Sequence, residues 1–133
     1  MNYAQIACLS LALSIVLGSV GAHAMKPFLS AEAFNSWDTA VKYQVYQSLG
    51  LLALYIAGRS GFLKSPLHRW AMLSIALGMV CFSGSLYLRS SSPVTGIDFS
   101  WLGPVAPIGG ILLILGWSLA ALSFIKEKQT ETL

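Results

Sequence analysis

The chain has 133 residues, of which 56% are hydrophobic and only 10% charged, and its formal net charge is +3. A soluble domain carries about 25% charged residues, so an ordinary water-facing surface is excluded for most of this polypeptide. The excess of Lys and Arg does not point to nucleic acid. These residues sit at the ends of apolar runs, where they anchor helices against an anionic membrane face.

Residues 1–25 contain no Asp, Glu, Lys or Arg. A helix needs about 20 residues to cross a bilayer core about 30 Å thick, and a first span is predicted over 4–24. Ala22-His23-Ala24 has the small-x-small form of a signal peptidase site. Two features favour a retained helix over a cleaved leader. No basic residue precedes the apolar run, and that run, 6–22, exceeds the usual leader core.

The segment 26–38 reads as a short interfacial helix. Pro27 interrupts the first span, Ser30 is a good N-cap, and Glu32 suits the positive end of a helix. The second span is predicted over 36–58. Its uncharged stretch, 43–58, is short, but Lys42 can extend its amine outward along its own stem. Asp38 and Lys42 have the i, i+4 order that favours a helical ion pair.

The third and fourth spans are predicted over 67–89 and 104–125, around uncharged stretches 70–88 and 99–125. The connection 90–104, rich in Ser, Pro and Gly, is expected to be irregular. The charged tail after Phe124 is expected to fray. Trp37, Trp70 and Trp101 fall at span ends, where an indole keeps its N–H wet. Trp117 lies inside the fourth span and is expected to pack on another helix. Cys8 and Cys81 sit at depths differing by roughly 10 Å, too far for a disulfide. The expected architecture is an all-α membrane protein, a single domain folded as a four-transmembrane-helix bundle.

Arg59, Lys64, Arg69, Lys126 and Lys128 then share one side of the membrane, against Lys26, Lys42 and Arg89 on the other. The Lys and Arg bias favours cytoplasmic termini. Residues 13–20 read LSIVLGSV and 73–80 read LSIALGMV, six matches in eight at an offset of 60. Such a repeat would relate two hairpins about an axis along the membrane normal. Small residues let helices approach where lipid supplies no hydrophobic drive. Ser14 and Gly18 in the first span, Gly84 in the third, and Gly109, Gly110 and Gly116 in the fourth are the expected packing positions. They also suit contact with a second copy or with another membrane protein.

Polar groups in hydrocarbon must face a partner. His23, Lys42, Tyr43, Gln47, Ser83 and Ser85 are expected to gather in the half of the bundle away from the termini. Ser83 or Ser85 would partner Gln44 or Gln47. Such a cluster is either a structural network, the preferred reading, or a small binding or proton-handling site. No nucleophile triad, phosphate loop, haem motif or HExxH pattern is present. No catalytic residue, cofactor or metal ligand is therefore assigned.

Four segments have a family resemblance. They are Gly21-Ala22-His23; Thr39-Ala40-Val41-Lys42-Tyr43-Gln44-Val45-Tyr46; Phe82-Ser83-Gly84-Ser85-Leu86-Tyr87; and Gly103-Pro104 with Pro107, Gly109, Gly110, Gly116 and Trp117. In these the chain resembles the domain-of-unknown-function 423 (DUF423) family, which includes bacterial UPF0382 proteins and the eukaryotic transmembrane protein 256 group. The resemblance implies a four-span membrane protein and supplies no mechanism. This chain has Ala24-Met25 where the family has Gly-Leu, and Gln47 where it has His. An amide does not titrate, so Gln47 can keep a hydrogen-bonding role but not a proton-carrying one. The leading expectation is a non-catalytic accessory protein. A small transporter or channel subunit comes second, and an enzyme acting on a lipid or quinone third.

Overall fold

The computed structural model describes residues 1–131, with side chains as far as Lys126. The expectations for the tail beyond that point, Lys128 included, lie outside the described side chains. Among the described residues the chain is all-helical: α1 (Tyr3–Val20), α2 (Ala31–Arg59), α3 (Leu67–Thr95) and α4 (Val105–Glu131), joined by short connections. Three stretches, Tyr3–Phe28, Leu67–Thr95 and Ser100–Lys126, are long and apolar enough to cross a membrane. α2 is more polar. Its 29 residues still extend about 43 Å at 1.5 Å per residue, and it turns Gln44, Gln47 and Ser48 into the protein interior.

Local chemistry sets the helix ends. Asn2 and Gln5 form a reciprocal capping box, each side chain accepting from the other's backbone N–H at 2.9 Å. α1 passes into a π-helical turn, Gly21–Met25, and a 3-10 turn, Lys26–Phe28. The Ser30 Oγ then accepts from the Ala33 N–H at 3.1 Å and starts α2. The separate interfacial helix expected over 26–38 is therefore absent as a unit. No Gly or Pro interrupts 31–49, so the residues after Ser30 form the first turns of α2 itself.

α3 also runs further than expected, through Pro93 to Thr95. Serine and threonine hydroxyls are turned back onto the helix here: Ser91 donates to the Leu88 carbonyl and Thr95 to the Ser91 carbonyl. Gly96, at φ 70°, supplies the left-handed cap. The irregular connection shrinks to the residues around the 3-10 turn Ser100–Leu102.

The contacts fix the helix directions. Ser10 meets Gln44, while Leu17 meets Trp37. Gly58 lies against His68, and Gln44 bonds Tyr87. Gly109 lies against Phe82, and Gly116 against Ile75. Each helix thus runs antiparallel to the one before it, and both chain ends lie at one end of the bundle. α2 sits between α1 and α3, and α3 pairs most extensively with α4. Ala7, Leu51, Ala71, Ile75, Leu113 and Ala120 form part of the core.

Small residues make these approaches possible. A methyl group added to Gly109 would strike the Phe82 backbone, and one on Gly116 would strike Ile75 and the Ala71 carbonyl. Gly110 faces the edge of the Phe82 ring, Gly18 rests on Val41, and Ser14 is buried. Gly84 differs from the others. A methyl group there would meet nothing within 4 Å, so it packs no helix of this chain. The repeated segments use their glycines alike, Gly18 toward Val41 of α2 and Gly78 toward Leu113 of α4. The matched residues lie in different registers because α1 ends at Val20, just past Gly18, whereas α3 continues well past Gly78 to Thr95. Trp37 is buried rather than interfacial, its Nε1 donating to the Leu17 carbonyl at 2.9 Å.

Candidate functional site

The interior polar groups form two separate sets. In the first, the Tyr87 hydroxyl donates to Gln44 Oε1 at 2.7 Å, and Gln44 Nε2 donates to the Ser10 carbonyl at 3.0 Å. The Ser48 hydroxyl donates to Ser10 Oγ at 2.8 Å, and the Ser10 hydroxyl points at Met79 Sδ, 3.5 Å away. Gln44 and Ser48 are four residues apart on one face of α2, so one helix presents both groups to α1 and α3 at once. In the second set, Trp117 Nε1 donates to Gln47 Oε1 at 2.7 Å. The Trp117 ring lies over Gly50, where any side chain would displace it.

The six residues expected to cluster do not converge. His23 is exposed on the π-helical turn. Lys42 pairs with Asp38 at 2.6 Å on the surface. Tyr43 stacks on Phe82 with ring centroids 4.6 Å apart. Gln47 turns to α4 instead of α3. The Ser85 hydroxyl bonds back to the Phe82 carbonyl at 3.0 Å. Ser83 is 3% exposed, and its hydroxyl has no partner among the described residues. The expected bond from Ser83 or Ser85 to a glutamine fails because Tyr87 and Ser10 occupy Gln44 and Trp117 occupies Gln47. Sequence reasoning missed Ser10, Ser48, Met79 and Tyr87. The i, i+4 spacing of Gln44 and Ser48 was the signal for the α2 half of this set; Ser10 stood out only by its packing spacing to Ser14 and Gly18, and Tyr87 only as the end of a segment of family resemblance.

A crevice of about 360 Å³ opens between α1 and α3. Ser10, whose hydroxyl approaches Met79 across the two helices, and Gln44 of α2 line it. Leu9, Leu13 and Leu17 form one wall, and Met79, Val80, Ser83, Gly84 and Tyr87 the other. Among the described residues no group of three His, Cys, Asp or Glu side chains is placed to hold a metal. Outside the spans, the Ser100 backbone N–H and hydroxyl both donate to Asp98 and hold its carboxyl below the usual range. That arrangement caps a turn and is remote from the crevice.

Comparison with known proteins gives the chain relatives. Residues 17–110 match a family model described as protein of unknown function (DUF423). A UPF0382 membrane protein of Staphylococcus haemolyticus is 36% identical over 114 residues, covering 86% of this chain and 87% of its own length. A UPF0382 membrane protein of Haemophilus influenzae is 31% identical over 128 residues, covering 96% and 97%. The UPF0382 inner membrane protein YgdD of Escherichia coli is 31% identical over 115 residues, covering 86% and 82%. No solved structure matches. With the family model spanning most of the sequence and these relatives aligned almost end to end, the chain is an integral membrane protein belonging to the DUF423 family.

Proposed function

We propose that the protein is a non-catalytic accessory component of a bacterial inner membrane, with both termini in the cytoplasm, acting through contact with a second copy or another membrane protein. The observation that carries this reading is that both glutamines inside the bundle are engaged by residues of the chain itself. Gln44, Tyr87, Ser10 and Ser48 bond one another, and Gln47 is occupied by Trp117. Groups satisfied in this way fix helix register. A permeation path instead needs groups free to exchange partners with a moving ion or solute. The inner-membrane placement follows the name of the Escherichia coli relative, and the orientation follows the excess of Lys and Arg at the termini end.

Reconstitution tests the proposal. Purified protein in sealed vesicles should show proton and potassium leak no greater than empty vesicles. Mild-detergent extraction from native membrane should yield one defined complex, either a homo-oligomer or a fixed hetero-complex. Flux that Gln47→Leu abolishes would overturn the accessory role in favour of transport.

A further inference from the structure

We propose that the crevice between α1 and α3 is a binding site for one acyl chain of an ester-linked membrane lipid, with its ester carbonyl held by the Ser83 hydroxyl. Three independent observations converge there. The first is shape. The lining residues from Ile6 to Leu17 on α1 extend about 17 Å along the helix. A volume of about 360 Å³ over that length gives a mean cross-section of about 20 Å². A hydrocarbon chain, about 4 to 5 Å across at van der Waals contact, fits that section. A helix 10 Å or more across, with a section of roughly 80 Å², does not enter it.

The second observation is Ser83. Among the described residues the other buried serines, Ser90 excepted, bond their hydroxyls within the chain. Ser14, Ser85, Ser118 and Ser123 donate to carbonyls three or four residues back, and Ser74 donates to the Leu112 carbonyl. Ser83 is as buried as Ser14 and Ser85 but has no partner among the described residues, and, unlike Ser90, it lines the crevice. A donor left unsatisfied in hydrocarbon is unfavourable, and a lipid ester carbonyl is the acceptor that accompanies an acyl chain. The third is Gly84, one residue on. It packs against nothing in the chain, and its missing side chain leaves the crevice wall open beside Ser83. The remaining walls, Leu9, Leu13, Met79 and Val80, offer the chain an apolar bed that opens sideways into the bilayer.

The proposal is independent of the accessory role. Its test uses full-length protein in nanodiscs containing a phospholipid with a photoreactive diazirine on one acyl chain. Crosslinks are mapped by mass spectrometry. In the wild type, labelling should concentrate on Leu13, Met79 and Val80 relative to Ile111, which is 58% exposed on α4 and serves as the ordinary lipid-contact reference. Gly84→Leu puts a side chain into the crevice at a position where an added Cβ meets nothing within 4 Å, and should cut that enrichment about tenfold, the equivalent of 1.4 kcal/mol. Ser83→Ala should cut it about threefold, the worth of one average hydrogen bond inside a membrane. If Gly84→Leu does not fold, Leu13→Trp fills the same space from α1 and carries the test. Labelling no stronger at the crevice than at Ile111, or unchanged in the filled variant, overturns the proposal. So does a change of oligomeric state in Gly84→Leu with labelling unaltered, which would assign the crevice to a second protein chain.

Discussion

Gln44 lies at the junction of three helices. Its amide accepts from Tyr87 of α3 and donates to the Ser10 carbonyl of α1, so both its oxygen and its nitrogen are engaged across helix boundaries. Interhelical hydrogen bonds in membranes average about 0.6 kcal/mol, with a maximum near 1.7. Tyr87→Phe removes one such bond and should lower stability by about 0.6 kcal/mol. Gln44→Leu leaves the Tyr87 hydroxyl without its acceptor as well as losing the bond to Ser10. It should cost more, approaching about 1.7 kcal/mol, measured by thermal or SDS unfolding in detergent. Equal effects of the two changes would mean that the Ser10 contact contributes nothing. The sequence made Gln44 and Gln47 visible as groups that needed partners, but not which partners. Spacing along α2 states which residues share a face, whereas the rotation of α1, α3 and α4 about their own axes decides what meets that face. Those rotations depend on packing between residues far apart in sequence. Gln47 accordingly found Trp117 rather than Ser83, although Trp117 was already legible as a residue packed on another helix.

Between elements, the glycines decide how closely helices approach. Gly109 brings α4 onto the backbone of Phe82, and Gly116 brings it onto Ile75 and the Ala71 carbonyl. Adding a methyl group at either position forces α4 away from α3, an overpacking cost of about 1 to 3 kcal/mol. Gly109→Ala and Gly116→Ala should each lower the unfolding midpoint, while Gly84→Ala should leave it unchanged or raise it slightly. A midpoint for Gly84→Ala as low as that for Gly109→Ala would contradict the open space at Gly84. All three glycines are small residues in apolar runs, so the sequence offered the same packing expectation for each. Only the placement of α1, displaced from α3 to leave a crevice, separates Gly84 from the rest. Element boundaries were legible where a cap marks them, as at Ser30. They were obscured where backbone hydrogen bonding outlasted the composition change, as in the turn containing Pro93, and where no breaker separated an interfacial segment from the helix that follows it.

For the molecule as a whole, four antiparallel helices place residues 60–66 and both chain ends at one end of the bundle, and residues 96–104 at the other. Arg59, Lys64 and Arg69 surround the first of these connections with no acidic residue among them, whereas Asp98 lies in the second and Glu32 and Asp38 lie near the same end. Retention of Lys and Arg on the cytoplasmic face therefore predicts the orientation. The number of helices predicts only that the two connections are on opposite sides. These two predictions separate experimentally. In a Cys8→Ser, Cys81→Ser background, Ser60→Cys and Thr95→Cys place single thiols at opposite ends, and both positions are exposed. An impermeant maleimide applied to intact cells should label Thr95→Cys and spare Ser60→Cys. The reverse pattern would overturn the orientation but keep the bundle, and labelling of both or neither would overturn the bundle's crossing. Replacing Arg59, Lys64 and Arg69 together by Gln turns the Lys and Arg count from five against three to two against three, and leaves the hydrogen bonds of Gln44 and Gln47 in place. That variant should label at both positions as a mixed population, because packing alone does not distinguish one face of the membrane from the other.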